Sequence, residues 1–201
     1  PFPSVCARLC NHPCEERCRA GATGGDPVAI RALKRFITDR ADPASYRPVR
    51  TPRGDDLPRV AVVGSGPAGL TAAHYLSLKG YKITVFEQDA EPGGMLFSAI
   101  PGYRMPRKVL HKEIAALLDE NITLRCGTAL GRDVTLDSLF AEGFKAIFVA
   151  LGAHKSLRLG LDGEDARGVI PSITFLKAFN QRGEELARVL RPGGTLLVVV
   201  P

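Results

Sequence analysis

The sequence predicts an α/β fold, a parallel sheet with helices on both faces. Three observations carry this expectation. Strand and helix signals alternate over residues 58–201. A glycine-rich turn, Gly64-Ser-Gly66-Pro-Ala-Gly69, joins the first strand to the first helix of that region. An acid, Glu87, ends the second strand. Alternation of this kind places strands side by side and in parallel, with the intervening helices as cover.

The elements follow in order. Val60-Ala-Val-Val63 is a short apolar run that ends in glycine, as a buried parallel strand does. Pro67 to Lys79 has helical spacing, with Leu70, Ala73, Tyr75 and Leu76 on its apolar side and Gly80 as its stop. Ile83-Thr-Val-Phe86 is the next strand. Arg107 to Asn121 reads as a second helix, with Val109, Leu110, Ile114, Leu117 and Leu118 on one side. Ile122-Thr-Leu-Arg125 and Ala146-Ile-Phe-Val-Ala-Leu151 are further strands, and Ser172 to Gln181 is helical. Thr195-Leu-Leu-Val-Val-Val200 has the composition of one more strand.

Upstream, composition divides the chain into three. Residues 1–40 hold four of the five cysteines and one helical segment. Residues 41–57 read as a linker, with three prolines and no apolar period. Residues 58–201 are the α/β region. The chain begins at Pro1 and stops just after the Thr195–Val200 run, so both ends read as cut and a larger protein is expected.

The totals narrow the function classes. The chain has 201 residues, 45% hydrophobic and 24% charged, which is ordinary for a globular protein with a real core. The net charge is +6, but the basic residues are scattered. Their densest stretch, Arg31 to Arg53, is also rich in Pro, Asp and Ala, so a solvated linker is expected there and not a nucleic-acid surface. No signal peptide is visible and no apolar run approaches membrane-spanning length, so a cytoplasmic location is expected.

The glycine turn carries chemistry. It follows a strand, opens a helix and has an acid at the end of the next strand, which is the context that gives G-x-G-x-x-G its meaning. Gly64 permits the tight turn. Gly66 lets the backbone approach a pyrophosphate with no side chain between. Gly69 lets the helix pack close to the sheet. The helix start offers unpaired N–H groups to the phosphates. Glu87 accepts hydrogen bonds from a ribose diol and repels a 2′-phosphate. These residues predict a dinucleotide, NAD or FAD, and do not choose between them.

Cys6, Cys10, Cys14 and Cys18 recur every four residues. Their residue types admit three readings. Disulfides suit a secreted chain, which this does not resemble. Four thiolates suit tetrahedral zinc, yet the usual C-x₂-C knuckles are absent. Thiolates also hold iron–sulfur clusters. Pro13 suits the first turn of a helix that would carry Cys14 and Cys18 on one face, with Cys6 and Cys10 in the preceding loop. Cys126 stands alone and is expected to be a buried small hydrophobe. His74 and His111 are expected to be packing or surface residues. His12 sits among the cysteines, and His154 follows Gly152. No catalytic acid/base set stands out.

Two segments extend the pattern. Gly93-Gly94 follows the acid by six residues and leads into Met-Leu-Phe-Ser-Ala-Ile-Pro-Gly-Tyr-Arg-Met-Pro-Arg-Lys-Val-Leu110, and Phe148-Val-Ala-Leu-Gly152 ends a strand in glycine. These resemble the FAD fingerprint of two-dinucleotide flavoprotein reductases, and in particular the group containing the glutamate synthase small subunit and dihydropyrimidine dehydrogenase. Residues 1–18 resemble the second half of that group's iron–sulfur domain.

The resemblance implies a Rossmann-like FAD domain preceded by a small α-helical segment that helps bind 4Fe–4S clusters. It implies FAD contacts at Leu9, Gly64, Ser65, Gly66, Pro67, Ala68, Gly69, Glu87, Gly94, Met95, Arg104, Leu130 and Gly152. It implies iron ligation by Cys10, Cys14 and Cys18. Some members use a non-cysteine ligand from the helix matching Val28 to Phe36. The positions here, near Lys34 and Arg35, are cations, which leaves Cys6 as a substitute ligand. The implied activity is electron transfer from NAD(P)H, bound by a domain beyond this chain, through FAD and the clusters to a partner subunit or domain. The competing expectation is a docking module stabilised by zinc or a cluster, with a vestigial dinucleotide fold.

Overall fold

The computed structural model describes residues 1–42, 45, 48, 51 and 56–182. Much of the linker stretch, and the strand expected at 195–200, lie outside the described residues.

Among the described residues four parallel strands form the sheet: β1 (Val60–Val63), β2 (Ile83–Phe86), β3 (Ile122–Arg125) and β4 (Ala146–Val149), in the order β3-β2-β1-β4. β1 is therefore flanked by β2 on one side and by β4 on the other. The chain order reverses there, and in an open α/β sheet the carboxyl ends part at that point to leave a crevice.

The helices are α1 (Pro3–Leu9), α2 (Pro13–Glu16), α3 (Arg19–Ala22), α4 (Ile30–Arg40), α5 (Pro67–Leu78), α6 (Met95–Ser98), α7 (Arg107–Leu117), α8 (Leu136–Ala141) and α9 (Ser172–Arg182).

β1 and β2 are buried along their whole length, which is why both read as unbroken apolar runs. On one face Val62, Ile83, Val85 and Ile122 pack with Ala73 of α5. On the other, Ala61, Val63 and Phe86 pack with Leu139 of α8 and with Phe144, whose ring meets Phe86 edge-on at 5.8 Å. Among the described residues β4 is the least covered strand, with Phe148 45% and Val149 52% exposed.

A third cluster joins Leu70, Leu96, Met105, Leu110, Ile114 and Leu117 to Phe2, with Val5 and Leu9 packed against it. The first helix of the cysteine segment is thus part of the core of the α/β unit. This corrects the expectation of a loop around Cys6 and Cys10: Cys6 lies within α1, and Cys10 is its C-cap. Pro3 opens the helix, and Phe2, Val5 and Leu9 recur at helical spacing, a pattern too short to stand out in sequence.

Cys14 and Cys18 do not share one helix face. α2 ends at Glu16, Arg17 leaves helical geometry, and Cys18 is extended as the N-cap of α3. The segment holds four helices, α1 to α4.

Two further corrections are local. α7 stops at Leu117, short of the predicted Asn121, because the Asp119 carboxylate takes the Asn121 N–H at 2.9 Å and turns the chain. In α5 the buried face is Leu70, Ala73, His74 and Ser77, while Tyr75 is exposed. The helix start lies close to the sheet: a Cβ on Gly69 would sit 1.9 Å from the Gly64 carbonyl oxygen and 3.2 Å from Val62 Cγ1. Gly69→Ala is expected to cost about 3 kcal/mol or more in urea unfolding, since backbone cannot yield as a side chain does.

Candidate dinucleotide site

A cleft of about 490 Å³ opens at the carboxyl ends of β1, β2 and β4. Gly64, Gly66, Pro67 and Ala68 form its floor, with Glu87, Gln88, Thr128 and Leu130 on one side and Gly94 and Met95 on another. Ala150, Leu151, Gly152, His154 and Lys155 close the β4 side.

Each glycine at this floor has a measurable reason. Gly64 has φ +104°, and a Cβ there would lie 2.3 Å from the Ala150 carbonyl oxygen. Gly66 is the opposite case: a Cβ would meet nothing within 4 Å, because the position faces the cleft. It begins α5 as N-cap with no side-chain partner, so the first N–H groups of this twelve-residue helix have no capping side chain. Gly94 presses on the same loop, where a Cβ would fall 2.8 Å from Gly66 Cα. The Gly93 N–H donates to the Ser65 carbonyl at 3.0 Å. The glycine pair is therefore a second backbone layer laid against the first.

Glu87 is buried at the cleft wall. Its Oε2 accepts from the Ser65 N–H at 2.8 Å and from Ser65 Oγ at 2.5 Å, and its Oε1 accepts from the Asp89 N–H at 2.9 Å. Carboxylate oxygens hold two lone-pair sites each, so Oε1 keeps one free for a ribose hydroxyl. Ser65 itself is fully buried behind the floor, as is Gly69, so both act on the loop from outside the cleft.

Arg104 and Leu9 are not brought to the cleft. Arg104 is exposed in the turn between α6 and α7. Leu9 packs beneath, on the cluster that includes Leu96 of α6. Arg107, not singled out in sequence, is the arginine that reaches α6: it donates to the carbonyls of Leu96 at 3.0 Å and Ile100 at 3.1 Å, and burial holds its pKa below the ordinary range. It satisfies the open end of the short helix that carries Met95.

His154 also lies outside the sequence-predicted set. Its Nε2 contacts the Leu151 carbonyl at 2.8 Å and its Nδ1 contacts Lys177 Nζ at 2.6 Å. A carbonyl only accepts and an ammonium only donates, so the ring carries its proton on Nε2. Asn180 Nδ2 donates to the Ser98 carbonyl at 3.0 Å. α9 is thereby fastened to both the β4 side and the α6 side of the cleft.

The cysteines are all free thiols, with Cys6 and Cys14 exposed and Cys10 and Cys18 half-buried. Cys18 Sγ accepts from the Val28 N–H at 3.4 Å, and such backbone donors hold its thiol below the usual range. The His12 N–H donates to Cys10 Sγ at 3.3 Å. Among the described residues no three His, Cys, Asp or Glu side chains converge as a metal-holding group. Cys126 is half-buried; burial, with the Glu87 and Glu91 carboxylates nearby, pushes its thiol up. Iodoacetamide at pH 8 is therefore expected to label Cys126 more slowly in the folded protein than after urea unfolding, by peptide mass spectrometry.

Comparison with known proteins follows the same division. Residues 62–112 match an NAD(P)-binding Rossmann-like domain, and residues 1–45 match dihydropyrimidine dehydrogenase domain II, 4Fe–4S cluster. The chain is 40% identical over 199 residues to the NADP(+)-dependent formate dehydrogenase subunit beta of Moorella thermoacetica, covering 88% of this chain and 28% of that protein. It is 35% identical over 180 residues to the glutamate synthase (NADPH) small chain of Escherichia coli strain K12, covering 88% and 38%. It is 40% identical over 161 residues to the NAD-dependent dihydropyrimidine dehydrogenase subunit PreT of Escherichia coli O157:H7, covering 79% and 38%.

Among solved structures, FprA of Mycobacterium tuberculosis in complex with NADPH matches with a TM-score of 0.53 at 23% identity, covering 62% of this chain and 29% of that one; this likeness is one of fold. Fold and cleft thus define a Rossmann-like dinucleotide-binding protein with a cysteine-bearing helical segment built onto it. Within that class the chain is similar to the glutamate synthase small chain and to a dihydropyrimidine dehydrogenase subunit, and it joins an NAD(P)-binding Rossmann-like match to a 4Fe–4S cluster-domain match as far as residue 112.

Gly66→Ala separates the site from the fold. With open space around the added methyl, stability is expected to stay within about 0.5 kcal/mol by urea titration. Dinucleotide affinity, read by fluorescence quenching of added FAD, is expected to fall at least about ten-fold, since the methyl stands where phosphate approaches.

Proposed function

We propose that this chain is the flavin and cluster portion of an NAD(P)H-dependent electron-transfer oxidoreductase, located in the cytoplasm. The observation that carries the proposal is that α1, which bears Cys6 and ends at Cys10, is packed into the same core as α6, which bears the cleft residue Met95. Electron transfer needs two redox groups held at short, fixed range, and a shared core supplies that.

The residues present fit FAD. Gly64, Gly66, Pro67 and Ala68 offer a backbone floor for the pyrophosphate, with Ser65 and Gly69 supporting it from behind. Glu87 offers a ribose acceptor. Gly94, Met95, Leu130 and Gly152 complete the walls. FAD, when bound, supplies the step between two-electron and one-electron chemistry. The protein's part is to bind it, orient it and exclude water.

The residues also fit thiolate ligation of iron. Cys10, Cys14 and Cys18, with Cys6 as a fourth, are the donors. The resemblance of this segment to a 4Fe–4S cluster domain favours ligands shared between more than one cluster, with the remainder from elsewhere in the protein, over a single zinc shell. The chain spans 28% to 38% of the length of the curated relatives compared above. The NAD(P)H domain and the electron-accepting or electron-donating partner are accordingly assigned to the remainder of the assembly.

The test is the absorbance spectrum and metal content of the full-length protein, purified without oxygen. Flavin bands on a broad iron–sulfur shoulder, bleached by NADH or NADPH, are expected. Zinc without colour would instead establish the docking module, and flavin without iron would establish a flavoenzyme of another kind.

A further inference from the structure

We propose that Glu113 is a positioning residue that fixes helix α1 to the flavin-binding unit and so sets the range between cluster ligands and flavin. The proposal rests on the flavin and cluster assignment above. Glu113 lies in α7 and is 1% exposed, between Leu110, Ile114 and Leu117 of the same buried face. An apolar residue is expected at such a position. A buried carboxylate there is costly unless it is fully engaged.

Its engagement is specific. One carboxylate oxygen accepts from the Ser4 N–H and the other accepts from the Val5 N–H at 3.1 Å. These are two of the first-turn N–H groups that a helix cannot satisfy for itself. α1 has no local substitute. Its N-cap is Phe2, whose side chain is in the core, no side chain caps it, and no acid lies in its first turn.

A local Ser or Asp cap stabilises a helix wherever the helix sits. A cap supplied from more than a hundred residues away stabilises it only when it is docked. Glu113 therefore couples the folding of α1 to its placement. The far end of α1 is held as well: Arg31 Nη1 donates to the Cys10 carbonyl at 3.1 Å, and Arg8 pairs with Asp39 of α4. Leu9 and Leu96 share the underlying cluster, so the placement of Cys6 and Cys10 is transmitted to α6 and Met95.

The experiment uses the full-length holoprotein with Glu113→Gln, which keeps shape and one acceptor, and Glu113→Ala as a second variant. Amide hydrogen exchange over residues 3–10 is expected to quicken about ten-fold or more, as loss of a charge-assisted bond implies, while β1 is unchanged. In stopped-flow and freeze-quench EPR, flavin content and flavin reduction by NAD(P)H are expected to stay within about two-fold of wild type, while passage of electrons from flavin to cluster slows about ten-fold or more. Wild-type exchange in residues 3–10 overturns the proposal. So does a fall in flavin content parallel to the fall in cluster reduction, which marks a general structural role. If wild type itself lacks flavin or iron, the functional assignment fails on its own, and the exchange data still decide whether Glu113 holds α1.

Discussion

Three stretches of backbone meet at the floor of the cleft with no side chain between them. Gly69 packs on the Gly64 carbonyl, Gly64 packs on the Ala150 carbonyl, and Gly94 packs on Gly66 Cα. Each approach is closer than any Cβ allows. The helix start, the end of β4 and the segment after β2 are brought together by this constraint, and the cleft is the space left above them. Gly66 is the one of the four at which an added Cβ would meet open space. One packing rule therefore serves two ends: three glycines close the fold and the fourth leaves it open.

Polar groups behind the floor follow from the same closeness. A tight loop leaves its own N–H groups without strand or helix partners, and buried N–H groups need an acceptor. Glu87 supplies one from the end of β2, taking both the N–H and the hydroxyl of Ser65. The acid at the cleft wall is thus also a brace for the glycine loop. Under the proposed function its position at the strand end would be dictated twice, by the ligand and by the loop. Glu113 repeats the device at the start of α1, where a remote carboxylate again satisfies backbone that has no local partner.

How far sequence reveals this depends on range. The strands and α5 were legible because their signals are local: apolar runs four residues long, a glycine turn, a glycine stop. So were the tight turn at Gly64 and the close helix packing at Gly69, which follow from one turn. The function of Gly93-Gly94 was visible only as a resemblance, because its partner, the Ser65–Gly66 backbone, is remote in sequence. α1 was read as loop because seven residues with three apolar positions carry too little period, and its cap lies in another helix. The helix expected to carry both Cys14 and Cys18 failed for a related reason. Four-residue spacing suits a helix face, but the chain breaks at Arg17, and the Cys18 sulfur is turned toward the Val28 amide. Arg104 stood out as part of a pattern, whereas Arg107, three residues on, makes the bonds to the Leu96 and Ile100 carbonyls.

That break at Arg17 bears on what the cysteine segment does. Two thiolates on one helix face point in one direction and suit one site. Two thiolates on either side of a break are free to serve different sites. Cys10 and Cys18 each receive a backbone N–H, from His12 and Val28, while Cys6 and Cys14 stand exposed. The N–H groups aimed at the Cys18 sulfur favour its thiolate form, the form that binds iron. Under the proposed function these thiols would form part of a site completed by other parts of the protein. The order of the segment does not then have to come from a metal, because Phe2, Val5 and Leu9 pack α1 into the core of the α/β unit. On that reading the dependence runs from the core outward to the cysteines, the direction in which electrons would leave the flavin.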